Sequence, residues 1–204
     1  MSRNLRLLEN NECQDIKPEE NFDLEAYISA PWFVQKQRVT NYLPKDRFYC
    51  TEARYSTNLN FLWKLYGWET AVNNYDEDEN GNGSGGGGLC SAGISNTYES
   101  ALGVSPCFLF PASFWAKRGK YWVMAFDEEA GYAVVTGGKA NIWTGNGCKT
   151  RNKRGTWIFT REQSGEGAAN AASLALEAAR EKGLDVDNLT DFFDVDHSSC
   201  NRED

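Results

Sequence analysis

The six cysteines are the residues of this chain best equipped for chemistry: Cys13, Cys50, Cys90, Cys107, Cys148 and Cys200. Their number is even, their spacings are wide, and no CxxC pair occurs. Zinc sites draw on close-spaced Cys and His pairs, and His197 is the only histidine, so no metal site is expected. Three disulfides in an oxidising compartment are the expectation. The alternative is a set of buried free thiols in a cytosolic protein. Asp76, Asp78 and Asn80 alternate as calcium ligands do, but the Glu that closes such a loop is missing. There is no Ser–His constellation and no cofactor motif, so no cofactor is required. Asp127 is an available carboxyl for proton donation.

The elements that must position these residues belong to one domain, since 204 residues suit one better than two. A formal charge of −8 argues against nucleic acid, whose phosphates demand a basic surface. No apolar run approaches the ~18 residues that would read as a membrane span. No signal-like apolar segment follows Met1. Aromatic residues make up 13% of the chain, which favours strands or an aromatic-lined pocket over a helical bundle.

Residues 1–20 are polar and without period, an extended arm. Residues 22–27 suit a short turn of helix, which Pro31 stops. Residues 32–39 read as a first strand. A second spans 47–55, with Tyr49, Thr51, Ala53 and Tyr55 on one face and Cys50, Glu52 and Arg54 on the other. A third is expected over 60–68, carrying Phe61 and Trp63. Residues 73–88, NNYDEDENGNGSGGGG, are low in complexity and predict a disordered acidic and Gly-rich insert. Further strands are expected near 90–98, 104–110, 112–117, 120–127, 131–136 and 157–161, with turn signals at Arg118-Gly119 and Ala130-Gly131. The period then changes. Residues 168–182 are rich in helix formers, with Ala171, Leu174, Ala175, Ala178 and Ala179 at helical spacing, and Gly183 sits where the helix would end. Residues 201–204 are a tail. A meander of this length can close into a barrel, which removes exposed edges.

Several segments resemble the lipocalin family. Residues 20–27 followed by Trp32-Phe33-Val34 resemble its opening helix and first-strand motif, with Ala30 in the place of the motif's Gly. Tyr121 to Asp127, then Tyr132 to Val135, resemble the second motif, with Phe126 replacing the usual Thr. Trp157 to Arg161 resembles the third, which ends in Arg, and Gly183 to Val186 resembles the helix exit. Three motifs in order span residues 21–200, most similar to the apolipoprotein D-like branch, which includes bacterial, plant and pigment-carrying invertebrate proteins. The resemblance implies an all-β fold: a closed, eight-stranded antiparallel up-and-down barrel with one C-terminal α-helix. It implies Cys50–Cys200 and Cys13–Cys148 disulfides, leaving Cys90 and Cys107 for each other. Trp32 and Arg161 are expected to meet at the closed base, where a guanidinium on an indole gains ~1 kcal/mol. Asp127 and Tyr132 are expected as structural motif residues.

The function implied is carriage of a small apolar ligand: a carotenoid or other pigment, a retinoid, a sterol or a fatty acid. Alternate inward residues should line the chamber, and the candidates are Tyr49, Tyr55, Phe61, Trp63, Trp122 and Trp157. Two other functions are weighed against this. One is an enzyme like violaxanthin de-epoxidase, with Asp127 as acid. The other is a docking subunit in peripheral contact with a membrane or a larger protein complex, using the apolar run from Phe108 to Trp115.

Overall fold

The computed structural model describes residues 13, 16–95, 97–108 and 119–200. A short helix, α1 (Leu24–Ile28), is capped by Asp23, whose carboxylate accepts from Ala26 N at 3.1 Å. Then come β1 (Trp32–Arg38), β2 (Tyr49–Ser56), a second short helix α2 (Phe61–Leu65), β3 (Thr70–Glu77), β4 (Gly83–Gly93) and β5 (Ala101–Pro106). The chain continues through β6 (Gly119–Asp127), β7 (Tyr132–Thr136), the two-residue strands β8 (Ile142–Trp143) and β9 (Cys148–Lys149), and β10 (Thr156–Thr160). The long helix α3 (Gly165–Glu181) and a last strand β11 (Phe192–Asp194) complete it.

From β1 to β7 each strand pairs antiparallel with the next; β10 pairs with β7 and returns to β1. Eight strands thus close into the expected up-and-down barrel, and β11 adds to the far part of β1. Alternating side chains serve two cores. Trp32, Val34, Val123, Val135 and Phe159 pack inside the barrel. Met124, Val134 and Ile158 face outward and meet Ala175 and Ala179 of α3. The small alanines of that helix let it lie close on the barrel wall, and Gly183, at φ +83°, turns the chain out of it.

The three disulfides pair as the resemblance implied: Cys13–Cys148, Cys50–Cys200 and Cys90–Cys107. Arg38 is fully buried outside the barrel wall. It donates to both Asp191 carboxylate oxygens, at 3.0 and 2.8 Å, and to the carbonyl and hydroxyl of Thr150 at 3.1 and 2.9 Å. One guanidinium therefore ties the tail and the residues before β10 to β1. Burial works against the Asp191 charge, but the hydrogen bonds and charge of Arg38 hold its carboxyl below the usual carboxylate range.

Two expectations are corrected. The strand expected over 60–68 is replaced by α2: the Asn60 side chain accepts from Trp63 N at 2.9 Å and starts a helix that ends before Gly67, at φ +80°. Residues 73–88 do not form a disordered insert either. They supply the end of β3, a turn and the glycine-rich half of β4. Glycines cannot bury a side chain, but their backbones complete ladders to β3 on one side and, through Leu89–Gly93, to β5 on the other. In the turn, Asp78 accepts from Asn80 N and Asn82 N, both at 2.9 Å, so its carboxylate caps backbone rather than joining a calcium loop. The expected strand at 112–117, the end of the one at 104–110, and all but Phe108 of the 108–115 run lie outside the described residues.

Tyr75 lies across the glycine strand and donates to Glu77 Oε1 at 2.7 Å. A Cβ at Gly83 would fall 2.3 Å from the Tyr75 hydroxyl, whereas one at Gly86 meets nothing within 4 Å. Gly83→Val is therefore expected to cost about 1–2 kcal/mol, and Gly86→Ala close to nothing. Thermal melts of the two variants check this; equal melting temperatures would show that Tyr75 does not need the glycine.

Candidate functional site

Because the strands form a meander, their connections alternate between the barrel ends. Helix α1, the β2–β3 link and the β6–β7 turn lie at the end where Trp32 begins β1. The β1–β2, β3–β4 and β7–β10 connections lie at the other.

The Trp32 end is sealed. The Arg161 guanidinium stacks over the Trp32 indole, 3.6 Å from the ring centre. It donates to Ala26 O at 2.7 Å, to Tyr27 O at 3.0 Å, and to Ala30 O. Trp32 Nε1 also donates to Tyr27 O, at 2.8 Å. Burial lowers the Arg161 pKa from its usual value, and the nearby Tyr27 and Glu128 work against that shift. The carbonyls that end α1 are thereby satisfied by the last barrel strand. Asp127 accepts from Ala130 N at 2.9 Å and shapes the β6–β7 turn, where it pairs in register with Tyr132.

Above this floor three tyrosine hydroxyls meet. Tyr121 Oη lies 2.5 Å from Tyr27 Oη and 2.7 Å from Tyr55 Oη. Burial raises all three pKa values, that of Tyr55 to about 12, so the cluster stays protonated across the physiological range. A cavity of about 560 Å³ rises from it. Its apolar wall includes Val72, Leu89, Leu102, Val104, Trp157 and Phe159. Two carboxylates, Glu52 and Asp76, also face it, each held by an arginine: Arg54 donates to Glu52 Oε1 at 3.0 Å, and Arg47 pairs with Asp76. Lys120, Lys153 and Arg154 stand toward the open end.

Of the six residues expected in the chamber, Tyr55 and Trp157 line it. Phe61 and Trp63 are on α2; Phe61 is 78% exposed, and Trp63 packs beside Leu59, Trp68 and the Cys90–Cys107 bridge. Trp122 points outward, toward Ile16. Tyr49 is not among the lining residues. The cause for Trp122 is a β-bulge: the β6–β7 register shifts between Val123 and Ala125. Counting back by twos from the inward Phe126 selects Trp122; the bulge makes Tyr121 the inward residue instead. At Tyr49 the β2–β3 register shifts before Glu52, with Cys50 at φ +50°. Sequence reasoning missed Tyr27, Tyr121 and Phe159, and also Gln37, which another bulge between Val34 and Lys36 turns inward.

Most of the chain superposes on solved barrels of the same kind. The crystal structure of the major allergen Per a 4 from cockroaches matches with a TM-score of 0.56 and 15% identity, over 93% of this chain and 97% of the allergen. The solution structure of lipocalin 12 from rat epididymis matches with a TM-score of 0.57 and 10% identity, over 95% of each chain. The fold is a lipocalin fold. No protein-family model matches the chain, and no curated protein matches it in sequence. The lipocalin floor here is built from Arg161, Trp32 and α1, as the motif residues implied.

Replacing Arg161 by Met keeps an apolar stem over Trp32 but removes one donor each from the Ala26, Tyr27 and Ala30 carbonyls, of which Ala26 O keeps Ser29 Oγ and Tyr27 O keeps Trp32 Nε1. A loss of about 2–3 kcal/mol is expected from the missing charged hydrogen bonds and cation–π contact. Denaturant unfolding measures it, and an unchanged midpoint would show that the floor closes without the guanidinium.

Proposed function

We infer that the protein binds and carries a small apolar molecule inside its barrel and does not turn it over. The observation that carries this reading is the 560 Å³ cavity, closed at one end and walled by aliphatic and aromatic side chains. Its size falls within the range of small-molecule sites, ~300–1,000 Å³. A ligand burying ~300 Å² of apolar surface there would gain ~7 kcal/mol before the cost of ordering. Carotenoids or other pigments, retinoids, sterols and fatty acids share that chemistry. The disulfides Cys50–Cys200 and Cys13–Cys148 support a place in the apolipoprotein D-like branch and an oxidising compartment. No described helix is long and apolar enough to cross a membrane.

The enzyme reading rested on Asp127 as an acid. That carboxylate is engaged by the Ala130 amide at a turn of the closed end, outside the chamber lining. Nothing else in the chamber combines an unpaired acid with a nucleophile among the described residues.

Titration with retinol is expected to quench tryptophan fluorescence saturably. Trp157→Phe should remove most of that quench, and Trp122→Phe should leave it nearly intact, because Trp157 faces the cavity and Trp122 the outer wall. A quench that survives Trp157→Phe and is lost with Trp122→Phe would place the ligand on the outer wall and overturn the carrier reading.

A further inference from the structure

The chamber wall contains polar atoms that have no hydrogen-bond partner among the described residues. Gln37 is completely buried and lines the cavity, yet neither its Nε2 nor its Oε1 makes a hydrogen bond among the described residues. Thr51, 6% exposed and lining the same cavity, has a hydroxyl in the same condition. Buried amides and hydroxyls are almost always paired, and an unpaired one destabilises the fold. The structure goes out of its way to hold Gln37 there: the β1 bulge between Val34 and Lys36 keeps Lys36 outward, on Asp194 at 3.2 Å, and brings Gln37 in. On β1, Gln37 lies five residues beyond Trp32, about 16 Å along the strand from the sealed floor. It is paired in register with Trp157.

Taking the carrier reading as its basis, we propose that the ligand is a neutral oxygenated molecule, an apolar skeleton bearing a hydroxyl that seats against Gln37 and Thr51. A hydroxyl both donates and accepts, so one group can donate to Gln37 Oε1 and accept from Gln37 Nε2 or Thr51 Oγ1. A hydrocarbon leaves all three atoms unpaired. A carboxylate accepts only, leaves Gln37 Oε1 unpaired, and meets the Glu52 and Asp76 carboxylates in the same wall. The arginines that hold those two carboxylates are already engaged with them. Lys120, Lys153 and Arg154 stand nearer the mouth and offer an acid a cationic seat away from the Gln37 level.

Calorimetric titration of the whole protein with dodecan-1-ol, dodecanoate and dodecane tests this with one carbon skeleton. The alcohol is expected to bind more tightly than either of the others. Gln37→Met and Thr51→Val should each weaken the alcohol about five- to tenfold and leave dodecane unchanged. Gln37→Met without ligand should melt no lower than the parent protein, since its amide contributes nothing there. Alcohol affinity unchanged in both variants overturns the proposal, as does an equal loss for dodecane, which would mean lost shape. Tighter binding of dodecanoate overturns it in favour of the Lys153 and Arg154 rim. Failure of all three probes to bind overturns the carrier reading beneath it.

Discussion

The stacking of Arg161 on Trp32 is the contact on which the rest of this molecule depends. It joins the end of β10 to the start of β1, the two strands whose pairing closes the barrel. The same guanidinium gathers the carbonyls that end α1 and so lays that helix across the floor. With α1 in place, Tyr27 brings its hydroxyl to Tyr121, and Tyr121 in turn meets Tyr55. A cation that would be costly in an apolar base is made stable there by an aromatic face and a fan of carbonyls.

Part of the chain's stability is carried on the outside of the barrel, beside an interior that combines a packed core with a cavity. Cys13–Cys148 and Cys50–Cys200 join residues 135 and 150 positions apart and fasten both the N-terminal arm and the C-terminal tail. In the chain-entropy view a loop of that length contributes about 5 kcal/mol. Arg38, buried outside the wall, adds the second fastening through Asp191 and Thr150. Helix α3 covers a second core of its own. These external ties offset what an interior cavity costs, together with two polar side chains, Gln37 and Thr51, that have no partner among the described residues.

The fold was legible in the sequence because its signals are long-range in order but local in type: alternating strands, turn residues between them, one run of helix formers, and motif residues at Trp32, Asp127 and Arg161. The glycine-rich strand was not, since residues 83–88 carry no side-chain pattern and are ordered by their partners' backbones. Nor was α2, where the Asn60 cap outweighs an apparent alternation of apolar residues. The chamber was only partly legible, for one geometric reason. Period-two counting holds until a bulge inserts an extra residue, and bulges interrupt β1, β2 and β6 on the way to the site. Each shift exchanges the inward and outward faces, which is how Trp122 was expected in place of Tyr121 and why Gln37 went unnoticed. A bulge has no composition signature of its own here, although Cys50, a non-glycine residue at positive φ, marks one of them.

The chamber, with aliphatic and aromatic walls and the polar groups of Gln37 and Thr51, is the proposed seat of the ligand. A crystal structure of the protein grown with dodecan-1-ol shows whether it is. Continuous density for the alcohol's carbon chain is expected between Trp157 and Leu102, with its oxygen within 3.2 Å of Gln37 or Thr51. Density for the alcohol on the outer wall beside Trp122, with the chamber filled by rearranged side chains, would contradict it.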